Sequence, residues 1–245
     1  MLRMLIVVAI TVVASWPASI QAQDQKQPLR LLFIGNSLTN SNDMPKLVEE
    51  LIVHAKLPRP EVESFTMPGA SLGDHWTLQD RKERILAGKW NYVVLQQGPT
   101  SLLESRKELL RDMETAKPWL KESGAKAAMF MVWPDTTRKR FFPQVRDSYA
   151  LAAKSVDGVL LPAGLALQKV MADDPALSLF NDGLHPTPVG SYLAGMVIAS
   201  RLAGIDPEKY DRNFSWGGSY SVILTAKQHS MCINAVKEAL KDQGK

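Results

Sequence analysis

Short, unbroken apolar runs alternate along this chain with longer stretches in which apolar residues recur every three or four positions. Leu31-Leu32-Phe33-Ile34, Tyr92-Val93-Val94-Leu95, Ala127 to Val132 and Val159-Leu160-Leu161 are the continuous runs. Runs this short and uninterrupted are expected of parallel strands covered on both faces. Val62-Glu63-Ser64-Phe65-Thr66 alternates instead, which predicts an edge strand. Between the runs, Leu47, Val48, Leu51, Ile52 and Ala55 mark one face of a helix, with Pro45 suited to its first turn. Leu102, Leu103, Leu109, Leu110 and Met113 mark a second, and residues 146–154 and 164–172 a third and a fourth. Thr187-Pro188 is a helix start, a hydroxyl cap followed by proline at the first helical position. The segment from Val189 to Leu202 is apolar or small nearly all round, so this helix should be buried. Thr225 to Leu240 predicts a C-terminal helix, with Cys232 a packed thiol. Strand and helix alternate throughout, which implies one doubly wound parallel sheet.

The first residues break this pattern. Arg3 supplies a short positive region, Leu5 to Ala14 an apolar one, and Trp16-Pro17 a break before the small residues that end at Ala22. Residues 1–22 are expected to be a signal peptide cut after Ala22, although Ile20 is larger than the alanine usual at that place. The apolar run is about ten residues against the ~20 needed to span a bilayer. The expectation is an exported, periplasmic or extracellular protein with no stable membrane span, residues 23–245 forming a single domain. N-terminal sequencing of protein from the native host should then begin at or next to Gln23. A mature chain that starts at Met1 overturns it.

Composition removes several classes. A single cysteine excludes an internal disulfide framework and any thiolate zinc cluster. The 29 Lys and Arg are interleaved with 25 Asp and Glu, and the longest basic cluster, Arg138-Lys139-Arg140, lacks interleaved stacking aromatics. Nucleic acid is not an expected partner. No His-Glu-x-x-His, Gly-x-x-x-x-Gly-Lys or Gly-x-Gly-x-x-Gly occurs, which weighs against a zinc protease, a P-loop enzyme and a dinucleotide enzyme.

In an open parallel sheet, chemistry gathers beyond the carboxyl ends of the strands. Those ends carry Gly35-Asn36-Ser37-Leu38, Met67-Pro68-Gly69-Ala70-Ser71, Gln96-Gln97-Gly98-Pro99-Thr100 and Trp133-Pro134-Asp135. Near the end of the alternation comes Asn181-Asp182-Gly183-Leu184-His185-Pro186. Alone, Gly-Asn-Ser is a turn with a helix cap or a nucleophile site. Asp-x-x-His is a capping loop, half of a metal site or a catalytic pair. Trp76 and Trp133 follow strand-end blocks and could stack on a sugar as substrate-binding residues. The competing reading for both, and for Trp216, is packing.

Together, the serine block, Gly69, the polar turn after the third run and Asp182-x-x-His185-Pro186 resemble the SGNH (GDSL-type) hydrolase family from about Leu31 to Leu202. The resemblance implies a three-layer α/β/α, flavodoxin-like doubly wound sheet of about five parallel strands, acting on esters with no cofactor and no metal. It implies Ser37 as nucleophile, His185 as its general base and Asp182 as the group that orients the imidazole. Backbone N–H groups of Ser37 and Gly69 would form the oxyanion hole. Two departures stand out. The family's Gly-Asp-Ser reads Gly35-Asn36-Ser37, and its Gly-x-Asn-Asp block aligns with Gly98-Pro99-Thr100-Ser101, without the oxyanion-hole asparagine. Gln97 is the favoured replacement, because it adjoins Gly98, with Gln96 and Thr100 as the other polar groups there. The expected function is an exported serine esterase acting on small acyl esters, O-acetyl groups on carbohydrate above all. The alternatives are a lipase- or thioesterase-like member, or a catalytically silent glycan-binding protein on the same fold.

Overall fold

The computed structural model describes residues 27–242, so the predicted signal peptide and its cleavage site lie outside the described residues. Five parallel strands form the central sheet: β1 (Arg30–Gly35), β2 (Glu61–Thr66), β3 (Tyr92–Leu95), β4 (Lys126–Phe130) and β5 (Val159–Leu161). Their order is β2-β1-β3-β4-β5, the flavodoxin-like arrangement. Leu31 to Ile34 are fully buried, as an unbroken apolar run flanked by helices on both faces requires. β2 is the partly exposed edge that its alternation predicted.

Nine helices are described: α1 (Ser37–Asn40), α2 (Met44–His54), α3 (Leu72–Trp76), α4 (Gln79–Ala87), α5 (Leu103–Ser123), α6 (Phe142–Ser155), α7 (Ala163–Asp173), α8 (Pro188–Ala203) and α9 (Ala226–Lys241). Helices α2, α7, α8 and α9 pack together on one face, and α3, α4, α5 and α6 on the other. The result is a three-layer α/β/α sandwich. In α8, every residue from Gly190 to Ala203 except Arg201 is buried, which matches the lack of a polar face in its sequence.

The differences from the sequence reading have physical causes. Helices α3 and α4 were not predicted. Ile85 is the one buried residue of α4, so no apolar stripe marks it, and an Arg84–Glu63 ion pair ties it to β2 instead. Helix α5 runs ten residues past Met113 and contains Pro118. Ala116 and Leu120 keep the buried stripe going, and packing outweighs the ~3 kcal/mol an interior proline typically costs. A two-stranded antiparallel hairpin, β6 (Asn213–Trp216) with β7 (Tyr220–Ile223), sits between α8 and α9. Among the described residues no helix is long and apolar enough to cross a membrane.

In this strand order the chain reverses its direction of winding between β1 and β3. The crevice at such a switch point is where open α/β sheets bind ligands. Ser37 follows β1 and Gln97 follows β3, so both stand at its edge.

Candidate active site

The turn after β1 is locked before it presents its serine. Asn36 caps α1, its side-chain oxygen accepting from Leu38 N at 3.1 Å, while its amide donates to the Ala70 carbonyl at 3.1 Å. Gln96 grips the same turn from β3. Its oxygen accepts from Asn36 N at 2.9 Å and from the Thr39 hydroxyl at 2.6 Å, and its amide donates to Asn36 Oδ1 at 2.9 Å. That approach requires glycine at position 35, because a Cβ there would stand 2.3 Å from Thr39 Oγ1 and 2.6 Å from Gln96 Oε1. His75, fully buried, donates from Nε2 to the Gly35 carbonyl at 2.9 Å. Burial lowers its pKa, which favours the neutral ring that this single donation needs. Ser37 therefore sits on a fixed backbone.

The opposite wall is the loop before α8. Phe180 and Pro186 form an antiparallel bridge, and Asn181 N donates to the His185 carbonyl at 2.9 Å. Thr187 caps α8 and sends its hydroxyl back to the Ser178 carbonyl at 2.8 Å. Asn42, at φ 52°, joins the two walls by donating to the Pro186 carbonyl at 2.9 Å and to Ser191 Oγ at 2.8 Å. Trp216 of the hairpin braces Asn42 in turn, its indole N–H donating to the Asn42 carbonyl at 2.6 Å.

Within this frame the three predicted residues meet. Ser37 Oγ lies 3.0 Å from His185 Nε2, and His185 Nδ1 lies 2.7 Å from Asp182 Oδ2. The other oxygen of Asp182 accepts the backbone N–H of His185 at 2.7 Å and of Leu184 at 3.0 Å. The His185 N–H, then the His185 ring and the Leu184 N–H, hold the Asp182 carboxyl well below the usual carboxylate range. A carboxylate so fixed selects the imidazole tautomer with its proton on Nδ1, leaving Nε2 free to accept the serine proton. The side chains of His185 and Asp182 are 38% and 57% exposed, so the site is a surface cleft.

The groups proposed for an oxyanion hole are also available. The N–H groups of Ser37 and Gly69 donate to no other described residue. Gly69 adopts φ +72° with nothing within 4 Å of where a Cβ would stand. Its backbone conformation, and not crowding by the protein, calls for glycine. Of the three polar groups after β3, two are committed elsewhere. Gln96 is fully buried, and its amide also donates to the Gln97 carbonyl at 2.5 Å. Thr100 turns its hydroxyl onto the Gly98 carbonyl at 2.7 Å. Gln97 uses only its oxygen, which accepts from Leu72 N at 3.1 Å. Its amide nitrogen has no partner among the described residues, is not among the enclosed polar atoms, and belongs to a residue lining an open groove of about 440 Å³.

Of the two tryptophans named for sugar stacking, Trp133 is corrected by the structure, and Trp76 is placed in a packing contact. Trp133 is 0% exposed, packs on Phe130 and Phe180, and donates its indole N–H to the Leu184 carbonyl at 2.8 Å. It is a prop beneath the Asp182–His185 loop. Trp76 is half-buried, with its N–H on the Asp112 carbonyl at 3.0 Å and its ring edge-on to Trp119. It joins α3 to α5. Among the described residues, no group of three or more His, Cys, Asp or Glu is placed to hold a metal ion.

No family model matches this sequence, and no curated protein matches it either. Solved structures do. A Slackia heliotrinireducens protein assigned to the SGNH hydrolases is 24% identical, with a TM-score of 0.60 over 71% of this chain and 98% of that one. A lipase/acylhydrolase from Enterococcus faecalis is 20% identical, with a TM-score of 0.57 over 72% of this chain and 96% of its own. A catalytic mutant of an acetylxylan esterase from Geobacillus stearothermophilus is 16% identical, with a TM-score of 0.53 over 74% of this chain and 97% of its own. The five-stranded parallel sheet flanked by helices gives this chain the three-layer α/β/α architecture of the SGNH hydrolase fold.

Proposed function

We propose that the protein is an exported serine esterase that removes small acyl groups, O-acetyl groups on carbohydrate above all, through an acyl-Ser37 intermediate. One observation carries the reading: the continuous Ser37–His185–Asp182 relay, with 3.0 Å and 2.7 Å between its members. As Ser37 Oγ attacks the ester carbonyl, its proton passes to His185 Nε2, and Asp182 stabilises the imidazolium. The negative oxygen of the tetrahedral intermediate accepts from Ser37 N, Gly69 N and the Gln97 amide. His185 then protonates the departing alkoxide, leaving the acyl-serine. Water attacks that ester as it gives a proton to His185 Nε2, and His185 returns this proton to Ser37 Oγ as the carbon–oxygen bond to serine breaks and the carboxylic acid leaves.

The groove beside Gln97 bears on the substrate. Ser71, Asp74, Ser101, Glu108 and Arg138 line it, and the side chains of Ser101 and Glu108 hold no hydrogen bond to another described residue. Free donors and acceptors of both charge signs suit a polyhydroxylated alcohol. Burying an acyl chain gains about 0.8 kcal/mol per methylene only where the wall is apolar, and here it would desolvate charges. An acetylxylan esterase stands among the similar structures, as do lipases, so the lining of the groove carries this preference. One feature favours the lipase-like alternative: Leu102, at the groove, and Leu103 beside it are 48% and 58% exposed.

A series of p-nitrophenyl esters separates the two. Acetate should be hydrolysed with kcat/KM at least about tenfold above that for palmitate, the ratio expected when added methylenes find no apolar wall. A preference for palmitate establishes the lipase-like alternative. Absence of hydrolysis, together with no labelling of Ser37 by a fluorophosphonate, leaves the silent glycan-binding protein.

A further inference from the structure

The loop that carries Gln97 has two ties of its own, the Gln96 amide on the Gln97 carbonyl and the Thr100 hydroxyl on the Gly98 carbonyl. It has left the β-ladder, includes Gly98 and Pro99, and bends through Thr100 at φ 54°, a conformation uncommon for a residue with a Cβ. Among the described residues, one side chain from a helix layer hydrogen-bonds residues 97–100. Tyr149 of α6 is 0% exposed, and its hydroxyl donates to the Gln97 carbonyl at 2.6 Å, with the Gly98 carbonyl a second acceptor at 3.1 Å. The same oxygen accepts from Gln97 N at 3.3 Å. A single phenol thus engages three of the four polar atoms of the Gln97–Gly98 backbone. Burial drives its pKa far above the ordinary phenol value, so it stays a donor at any working pH.

A buried phenol in that position does more than fill the core. It fixes both peptide groups that flank the Gln97 side chain, and with them the direction of the one amide in this block that has no partner. Leu72 N, bonded to Gln97 Oε1 at 3.1 Å, then fixes the rotation of that amide, pointing Nε2 away from α3. Backbone and side chain are held by separate elements, α6 and α3. We propose that Tyr149 is the positioning residue of the oxyanion hole: through the Gln97–Gly98 backbone it holds the Gln97 amide where charge develops in the transition state. The inference rests on the esterase reading above. It also accounts for how this chain manages without the family's asparagine, because a longer side chain at a different position needs an anchor of its own.

The test is a mutant cycle on p-nitrophenyl acetate hydrolysis, with rates expressed per active site titrated by a fluorophosphonate. Tyr149→Phe keeps the ring and removes the clamp. It should lower kcat by roughly 10–100-fold, the scale of a misplaced catalytic group, with KM within about twofold. Affinity for a trifluoromethyl ketone, which forms a tetrahedral adduct on Ser37, should fall in parallel with kcat. The decisive comparison is Tyr149→Phe combined with Gln97→Ala, whose kcat should be no lower than that of Gln97→Ala alone. If the two losses multiply, or if Tyr149→Phe retains full kcat, Tyr149 is only a packing residue and the inference fails. Full kcat in Gln97→Ala overturns both this inference and the assignment of the third oxyanion donor. If the Phe variant yields no folded protein, Tyr149→4-fluorophenylalanine replaces it in the cycle, since fluorine fills the place of the hydroxyl without an O–H to donate. The same two outcomes then decide.

Discussion

Ser37→Ala and His185→Ala should each reduce ester hydrolysis to near background, and the double mutant should be no worse than either. The two side chains act as a unit, so losing one disables the other. In a serine triad on another fold, single losses of this kind cost on the order of 10⁶ in kcat. The fold should survive both changes, because neither side chain bonds anything outside the relay. Asp182→Asn is expected to be milder or comparable. An asparagine can offer an N–H to His185 Nδ1 and so favour the tautomer with its proton on Nε2, which cannot accept from serine. The pH profile separates the two acid–base members. Asp182 is held well below the usual carboxylate range, so it stays ionised across the working range and contributes no titration there. Activity should therefore fall on the acid side along a limb that reports a single proton, with no part of it taken up by Asp182. A limb that reports two protons, or a fully active Ser37→Ala, excludes the mechanism.

The parts of this molecule readable from sequence are those in which the local pattern reports its own environment. Four apolar runs without alternation can be covered on both faces only in a parallel sheet, and each became a strand. α8 declared itself by having no polar face. The blocks proposed for catalysis were readable for a different reason: a nucleophile and its base are constrained in residue type, and both blocks sit at strand or helix ends, where turn and cap chemistry is strict. What escaped depends on partners far along the chain. Trp133 follows an apolar run and looks identical whether it lines a cleft or props a loop. The carbonyl that decides belongs to Leu184, 51 positions later. Gln96 and Gln97 point to opposite faces, as alternation requires, but their division of labour depends on Asn36 and Leu72. The β6–β7 hairpin did leave a local signal. Gly217-Gly218, both at positive φ, lie between the alternating Phe214 and Trp216 and the strand from Tyr220. A glycine pair between alternating positions is a recognised hairpin turn, and four-residue strands are simply short enough to overlook.

Gln97→Ala should lower kcat by on the order of 10²–10³ while changing KM little, the usual result of removing one oxyanion donor. The expectation follows from hydrogen-bond capacity. In the proposed mechanism a tetrahedral oxyanion takes two backbone donors, Ser37 N and Gly69 N, and a third from the end of β3. Gln96 cannot supply it, since its amide is divided between Asn36 Oδ1 and the Gln97 carbonyl. Thr100 cannot, since its hydroxyl donates to the Gly98 carbonyl. Gln97 has its oxygen occupied by Leu72 N and its nitrogen open to the groove. A substrate carbonyl in the ground state carries less charge than the oxyanion, so the lost donor weighs chiefly on the transition state, and kcat absorbs the loss. The competing role for Gln97, a tie between β3 and α3 through Leu72 N, predicts something else: a lower melting temperature with kcat intact. Gln97→Glu separates the roles again. It keeps an acceptor for Leu72 N but sets a carboxylate against the oxyanion, so it should preserve stability and depress kcat at least as far as alanine does. Gln96→Ala attacks the same reaction from the nucleophile side. It frees Asn36 N and the Thr39 hydroxyl, and should cost stability as well as rate, because both groups are buried and would lose their partner. If kcat of Gln97→Ala stays within about twofold of the parent while Thr100→Ala or Gln96→Ala cripples the enzyme at unchanged stability, the third donor is not Gln97.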